Sequence, residues 1–206
     1  MAMLDEGYIK FNSQRRDGEV PYPAALDDLN RVRTALFDLG LIGELPDGIG
    51  YGNLSLRSSG LQFVVTASAT GATRVLQPGH YCLVESFSVA HNRVASVGPL
   101  HASSESMTHG AIYAADSTVQ CVIHVHSRVM FDWLLQKGWP STPAQVPYGT
   151  PAMADAVTKL VAQQTQLPVL FAMAGHQDGV VAYGRDIDGV FNLVRDTFGS
   201  ITACEE

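Results

Sequence analysis

Gln120-Cys121-Val122-Ile123-His124-Val125-His126-Ser127, near the middle of the chain, is the stretch from which the rest can be read. Its β-branched, apolar run reads as a buried strand. Side chains at i and i+2 of a strand leave the same face, so His124 and His126 aim two imidazoles at one point. A metal ion requires such a pair: neutral imidazole nitrogens bind zinc at about 2.0–2.1 Å, and a strand holds them at little cost in ordering entropy. The plainer reading of His-x-His is a strand end where one histidine bonds the backbone and the other touches solvent. This stretch alone leaves both open.

Two segments further out offer more donors. Ala102-Ser103-Ser104-Glu105 precedes a helical-looking run from Met107 to Ala115, and Ala172-Met173-Ala174-Gly175-His176-Gln177-Asp178-Gly179 lies between two apolar, strand-like runs. A third histidine, His176, and a carboxylate, Glu105, are therefore available. Three histidines leave a fourth coordination position open, as a catalytic zinc does and a structural zinc does not. Cys82, Cys121 and Cys204 are too widely spaced for a finger or an evident disulfide, and they read as small buried hydrophobes.

A chain of 206 residues, 46% hydrophobic and 16% charged, suits one domain with a sizeable core, with residues 1–20 as an N-terminal extension. The net charge of −7 and the scattered placement of 13 Lys and Arg argue against a nucleic-acid or anionic-membrane partner. Met1-Ala2-Met3-Leu4-Asp5-Glu6 carries acids where a signal peptide needs a basic region. No apolar run approaches the about 20 residues of a membrane span, so a cytoplasmic protein is expected.

Apolar spacing predicts helices over 24–40, 104–115, 127–136, from Pro151 onward and over 187–203. Strands are predicted over 51–57, 61–66, 80–85, 87–95, 119–126, 168–173 and 179–184, with a Pro-rich break at 140–147. Consecutive hairpins beside helices imply an α/β fold, a three-layer α/β/α domain around a mainly antiparallel sheet. Gly48-Ile49-Gly50-Tyr51-Gly52-Asn53 is glycine-rich enough for the backbone to approach an anion closely, although a plain turn has the same composition. His109 lies one helical turn after Glu105, where it would orient that carboxylate. His80, His91 and His101 fall in turn or hairpin context as surface or backbone-bonded histidines, and Trp133 and Trp139 read as packing residues.

Several motifs then occur in a recognisable order: Gly50-Tyr51-Gly52-Asn53-Leu54-Ser55-Leu56-Arg57, Thr66-Ala67-Ser68-Ala69-Thr70-Gly71, Ser103-Ser104-Glu105, His124-Val125-His126-Ser127, Tyr148-Gly149-Thr150-Pro151 and Gly175-His176. With the interval between Glu105 and His124, they resemble the class II aldolase and adducin-head family from about residue 25 to about residue 200. The resemblance implies the same three-layer fold and a zinc ion, or another divalent transition metal, held by His124, His126 and His176 with Glu105 near or on it. It implies anion contacts from Gly52, Asn53, Thr70, Gly71, Ser103 and Ser104. The implied activity is that of a zinc-dependent lyase, with retro-aldol cleavage of a small hydroxy-carbonyl, sugar-phosphate-like substrate through a metal-stabilised enediolate and Glu105 as proton carrier. A homotetramer is implied as well.

The family's dehydratase and 4-epimerase branches and its non-catalytic adducin heads are the alternatives. Glu105 speaks against the epimerases, which tend to carry aspartate there, and the intact histidine set speaks against the adducin heads. The chain departs from the family twice. Thr-Ala-Ser-Ala-Thr-Gly is longer than the usual segment, so either Ser68 or Thr70 holds the expected place. The stretch from His126 to Tyr148 is shorter than in the aldolases and has no match for their inter-subunit tyrosine.

Overall fold

The computed structural model describes residues 7–20 and 25–203, so the readings made on Met1–Glu6, residue 24 and Cys204 lie outside it. Ten strands and five α-helices follow in the order β1 (Asn12–Arg16), α1 (Ala25–Asp38), β2 (Gly43–Glu44), β3 (Gly50–Tyr51), β4 (Asn53–Ser59), β5 (Gln62–Thr66), β6 (Tyr81–Ser88), β7 (Arg93–Val97), α2 (Ser106–Ala115), β8 (Cys121–His126), α3 (Arg128–Gln136), α4 (Pro151–Val161), β9 (Val169–Ala172), β10 (Gly179–Gly184) and α5 (Ile187–Thr202). The main sheet has eight strands in the order β1-β7-β6-β5-β4-β8-β10-β9. All neighbours are antiparallel except β1 and β7. Among the described residues no helix is long and apolar enough to cross a membrane.

Strand β8 shows how the three layers arise. Cys121, Ile123 and Val125 enter one apolar cluster with α1, α3 and α5, while Val122 enters the other with α2 and α4. His124 and His126 share the parity of Val122, so they face the α2–α4 layer. The helices start where the sequence caps them. Ser127, Thr150 and Asp186 accept bonds from the backbone N–H of Met130, Met153 and Gly189 at the starts of α3, α4 and α5, at 3.3, 3.3 and 2.7 Å. Pro151 occupies the first turn of α4, where its missing donor costs nothing.

The expected helices and most expected strands are present, with three differences. Residues 12–16, Asn-Ser-Gln-Arg-Arg, form an edge strand although they show no apolar alternation. Main-chain pairing to β7 makes this strand, and a charged edge is the ordinary form of a strand that must not recruit another chain. The hairpin expected near residue 86 turns later, because β6 carries a bulge between Val84 and Ser86 and runs to Ser88. Asn92, at φ 45°, then takes the left-handed turn position that asparagine tolerates. Finally, two-residue β2 pairs with β3 as a separate two-stranded sheet.

One test of this layering uses the apolar face of β8. Ile123→Ala should lower the unfolding free energy by about 2–5 kcal/mol, the usual range for a buried aliphatic truncation. The histidines on the opposite face should keep their ability to bind a metal, measured as ion stoichiometry in the folded variant.

Candidate metal centre and anion pocket

His124, 1% exposed, and half-buried His126 place their Nε2 atoms 3.1 Å apart. Two ligands of a tetrahedral ion at 2.0–2.1 Å would stand about 3.3–3.4 Å apart, so the pair is nearly at ligand spacing. His124 Nδ1 donates to the Val180 carbonyl of β10 at 3.1 Å, which fixes the tautomer and leaves Nε2 with its lone pair. Burial first, and then neighbouring His126, His176 and His109, hold the His124 pKa well below its ordinary value. The ring is therefore neutral and able to bind metal at physiological pH.

His176 arrives from the loop between β9 and β10. Its N–H donates to the Met173 carbonyl at 2.7 Å and its carbonyl accepts from Gly179 N–H at 2.9 Å. The ligand nitrogens of His124, His126 and His176 lie within 4.8 Å of one another, a set that could hold a metal ion. A neighbouring loop braces this third histidine. A Cβ at Gly175 would stand 1.7 Å from the Val146 carbonyl oxygen, so only glycine lets that loop pass. Tyr148 then stacks on the His176 ring, 4.2 Å between centroids and 18° between planes, with the Lys10 ammonium 3.7 Å above the phenol ring.

Glu105, 2% exposed, stands at the start of α2 with Oε1 3.9 Å from His176 Nδ1. Its Oε2 accepts from the Thr108 hydroxyl at 2.6 Å. Thr108, and not His109, is thus the residue that orients the carboxylate. Spacing i to i+3 at a helix start was a signal for it. His109 turns toward the sheet instead. Its Nδ1 lies 2.7 Å from Ser55 Oγ, itself 2.8 Å from the Tyr113 hydroxyl, and burial pushes the His109 pKa down to about 3. The other three histidines are where the turns put them: His80 Nδ1 accepts from Gln77 N–H, while His91 and His101 bond Ser88 and Ser13. Cys82 and Cys121 are buried free thiols with their pKa values pushed up to about 12 by burial, and Trp133 and Trp139 pack on each other 5.7 Å apart.

Beside the histidines lies a cavity of about 260 Å³, and all six residues picked out as anion contacts, Gly52, Asn53, Thr70, Gly71, Ser103 and Ser104, line it. Register connects the two sites: Asn53 on β4 pairs with His124, and Ser104 precedes Glu105. Ser68 lines the cavity as well. The Thr70 hydroxyl donates to the Ala67 carbonyl at 2.8 Å, so its proton is committed within its own loop. Gly7 and Tyr8 also reach this wall. Sequence reasoning missed these two along with Lys10, since nothing in residues 7–10 marks a segment that folds back across a site.

The sequence profile of the class II aldolase and adducin N-terminal domain family matches residues 47–197. No curated protein matches the chain in sequence. Among solved structures, L-fuculose-1-phosphate aldolase from Thermus thermophilus aligns with a TM-score of 0.56 at 22% identity, over 84% of this chain and 85% of that one. An L-fuculose 1-phosphate aldolase aligns at 0.66 and 17% identity, over 88% and 85%. Sugar-phosphate aldolase from Thermotoga maritima aligns at 0.59 and 16% identity, over 87% and 92%. At such identities the likeness is one of fold.

The buried, neutral His109 gives a pH test. Above its ordinary value of 6.5 both folded and unfolded chains hold it uncharged, while below that the unfolded chain takes up a proton that the folded ring refuses until about pH 3. Unfolding free energy should therefore fall with decreasing pH across this window, with up to about 1.4 kcal/mol per pH unit from this one site. Denaturant titrations of metal-free His109→Gln should show a flatter decline between pH 6.5 and 3 than the wild type. Parallel curves would show that His109 is not the group responsible.

Proposed function

The chain belongs to the class II aldolase and adducin N-terminal domain family, and on that premise we propose that it is a zinc-dependent aldehyde-lyase, cleaving a small hydroxy-carbonyl, sugar-phosphate-like substrate by retro-aldol chemistry. The observation that carries this reading is the convergence of three imidazoles, one of them locked as a neutral ligand by Val180, beside a buried carboxylate that a threonine holds. An interaction head without catalysis would have no use for that set.

His124, His126 and His176 are the residues that would hold the ion, which could be zinc or another divalent transition metal, since a histidine-rich set suits several of them. When bound it supplies Lewis-acid polarisation of the substrate's carbonyl and hydroxyl oxygens. The chain's own residues do the rest. In the cleavage the β-hydroxyl loses its proton, the Cα–Cβ bond breaks, and Cα regains a proton. Glu105 is the carrier: Thr108 pins Oε2, and Oε1 takes up and returns the proton. Gly52, Asn53, Thr70, Gly71, Ser103 and Ser104, with Ser68, hold the anionic end of the substrate. We further propose that the chain is one domain of this type, cytoplasmic, and active as a homotetramer.

Three measurements decide these points. Elemental analysis of protein purified without chelator should find about one zinc-like ion per chain, and His126→Ala should lose it while still melting cooperatively. Glu105→Gln should keep metal and melting temperature but lose activity by about 10² or more, the scale of general acid–base catalysis. Near-normal turnover in that variant would move the proton transfer elsewhere. Light scattering should return a tetramer mass, and a monomer at micromolar concentration would refute the assembly.

A further inference from the structure

The cavity beside the histidines is lined by glycines, Asn53, Ser68, Thr70, Ser103 and Ser104, with Tyr8 at its edge, and has no lysine or arginine among the described residues that line it. A cation lies behind the wall. Arg33 of α1 is 1% exposed, and its Nη2 donates to the carbonyls of Thr70 and Gly71 at 2.9 and 3.3 Å. Its Nη1 donates to the carbonyls of Arg74, at 2.8 Å, and of Thr73. The Phe37 ring covers the guanidinium at 5.4 Å.

None of these partners is a carboxylate. A guanidinium does not give up its proton in a protein, so a full positive charge is held inside on backbone dipoles. Burying a charge with no counter-ion among the described residues is costly, which would make this a poor arrangement for stability alone. A trans peptide points its N–H opposite to its carbonyl. Drawing the Thr70 and Gly71 carbonyls onto Arg33 therefore turns the N–H groups of Gly71 and Ala72 away from it. Gly71 forms wall with backbone only, because a Cβ there would stand 2.2 Å from Gly43 O and 2.6 Å from Gly50 Cα. Across the cavity, Asn53 is 7% exposed and its Oδ1 is buried without a hydrogen-bond partner. That oxygen only accepts, so it suits a hydroxyl of the ligand and not the anion itself.

We propose that Arg33 is the charge of this otherwise neutral anion pocket, a positioning residue that aligns and polarises the Thr70–Ala72 peptides, and that its missing counter-ion is the phosphate group of the bound substrate. The inference rests on the sugar-phosphate reading above. Arg33 touches no substrate atom and acts through four carbonyls, a task that suits a planar fork and not a point charge.

Calorimetric titration of inorganic phosphate into the metal-loaded protein tests it, with metal content and metal affinity measured on the same samples. Phosphate should bind the wild type, bind R33Q at least about tenfold more weakly, and bind R33K with an intermediate affinity, while all three hold metal equally. R33Q within about twofold of the wild type would overturn the role of Arg33 and leave the phosphate reading standing. No phosphate binding by the wild type would overturn that reading, and this inference with it. If R33Q does not fold, R33K decides: a loss of about threefold or more with metal affinity intact supports the proposal, and parity with the wild type overturns it. A parallel loss of phosphate and metal affinity would mark Arg33 as a structural residue and overturn it as well.

Discussion

A strand turns successive side chains to opposite faces, and β8, enclosed by helices on both sides, cannot escape that alternation. Cys121, Ile123 and Val125 close the core under α1, α3 and α5, which obliges His124 and His126 to look into the other layer. A slip of one residue would bury both imidazoles among leucines and valines and turn the apolar set into the polar layer. Antiparallel pairing on both sides of β8 fixes the register, with Asn53 opposite His124 on β4 and Gly179 opposite His126 on β10. The same pairings bring the glycine loop and the His176 loop to the two histidines.

That layer is unusually polar for an interior, and local partners hold several of its polar groups. Glu105 is held by Thr108, His124 by the Val180 carbonyl, and His109 by Ser55, which also meets Tyr113. A buried donor or acceptor left unmet costs about 1–3 kcal/mol, so these contacts decide which rotamers the site can adopt. They also separate roles that look alike in sequence. His109 and His124 are both buried and both neutral, yet one ties α2 to β4 and the other presents a lone pair to its fellow histidines.

Close backbone approach is the second constraint on the site. Gly71 sits against Gly43 and Gly50, and Gly175 sits beneath Val146, at separations where any side chain would collide. These contacts let three loops and the segment 7–10 converge on a small volume, with Lys10 over Tyr148 and Tyr148 over His176. Arg33 belongs to the same economy of space, since its fork gathers the carbonyls of residues 70, 71, 73 and 74 of one loop.

Much of this was legible in the residues themselves. The β-branched apolar run of 121–126 and helical spacing in 25–38, 128–136 and 187–202 are local signals, and they sufficed for the three layers and for the pairing of His124 with His126. The order of the glycine, serine and histidine motifs was enough to gather six residues that line one cavity. Which partner each polar side chain takes was decided only by tertiary structure. Thr108 and His109 lie at equally plausible spacings from Glu105, and only the position of Ser55 on the neighbouring strand draws His109 away. The edge strand at 12–16, Tyr8 at the pocket and the carbonyls around Arg33 leave no mark in sequence, because backbone pairing and backbone acceptors are available to every residue type. Distance in three dimensions, which no spacing along the chain encodes, selects among them.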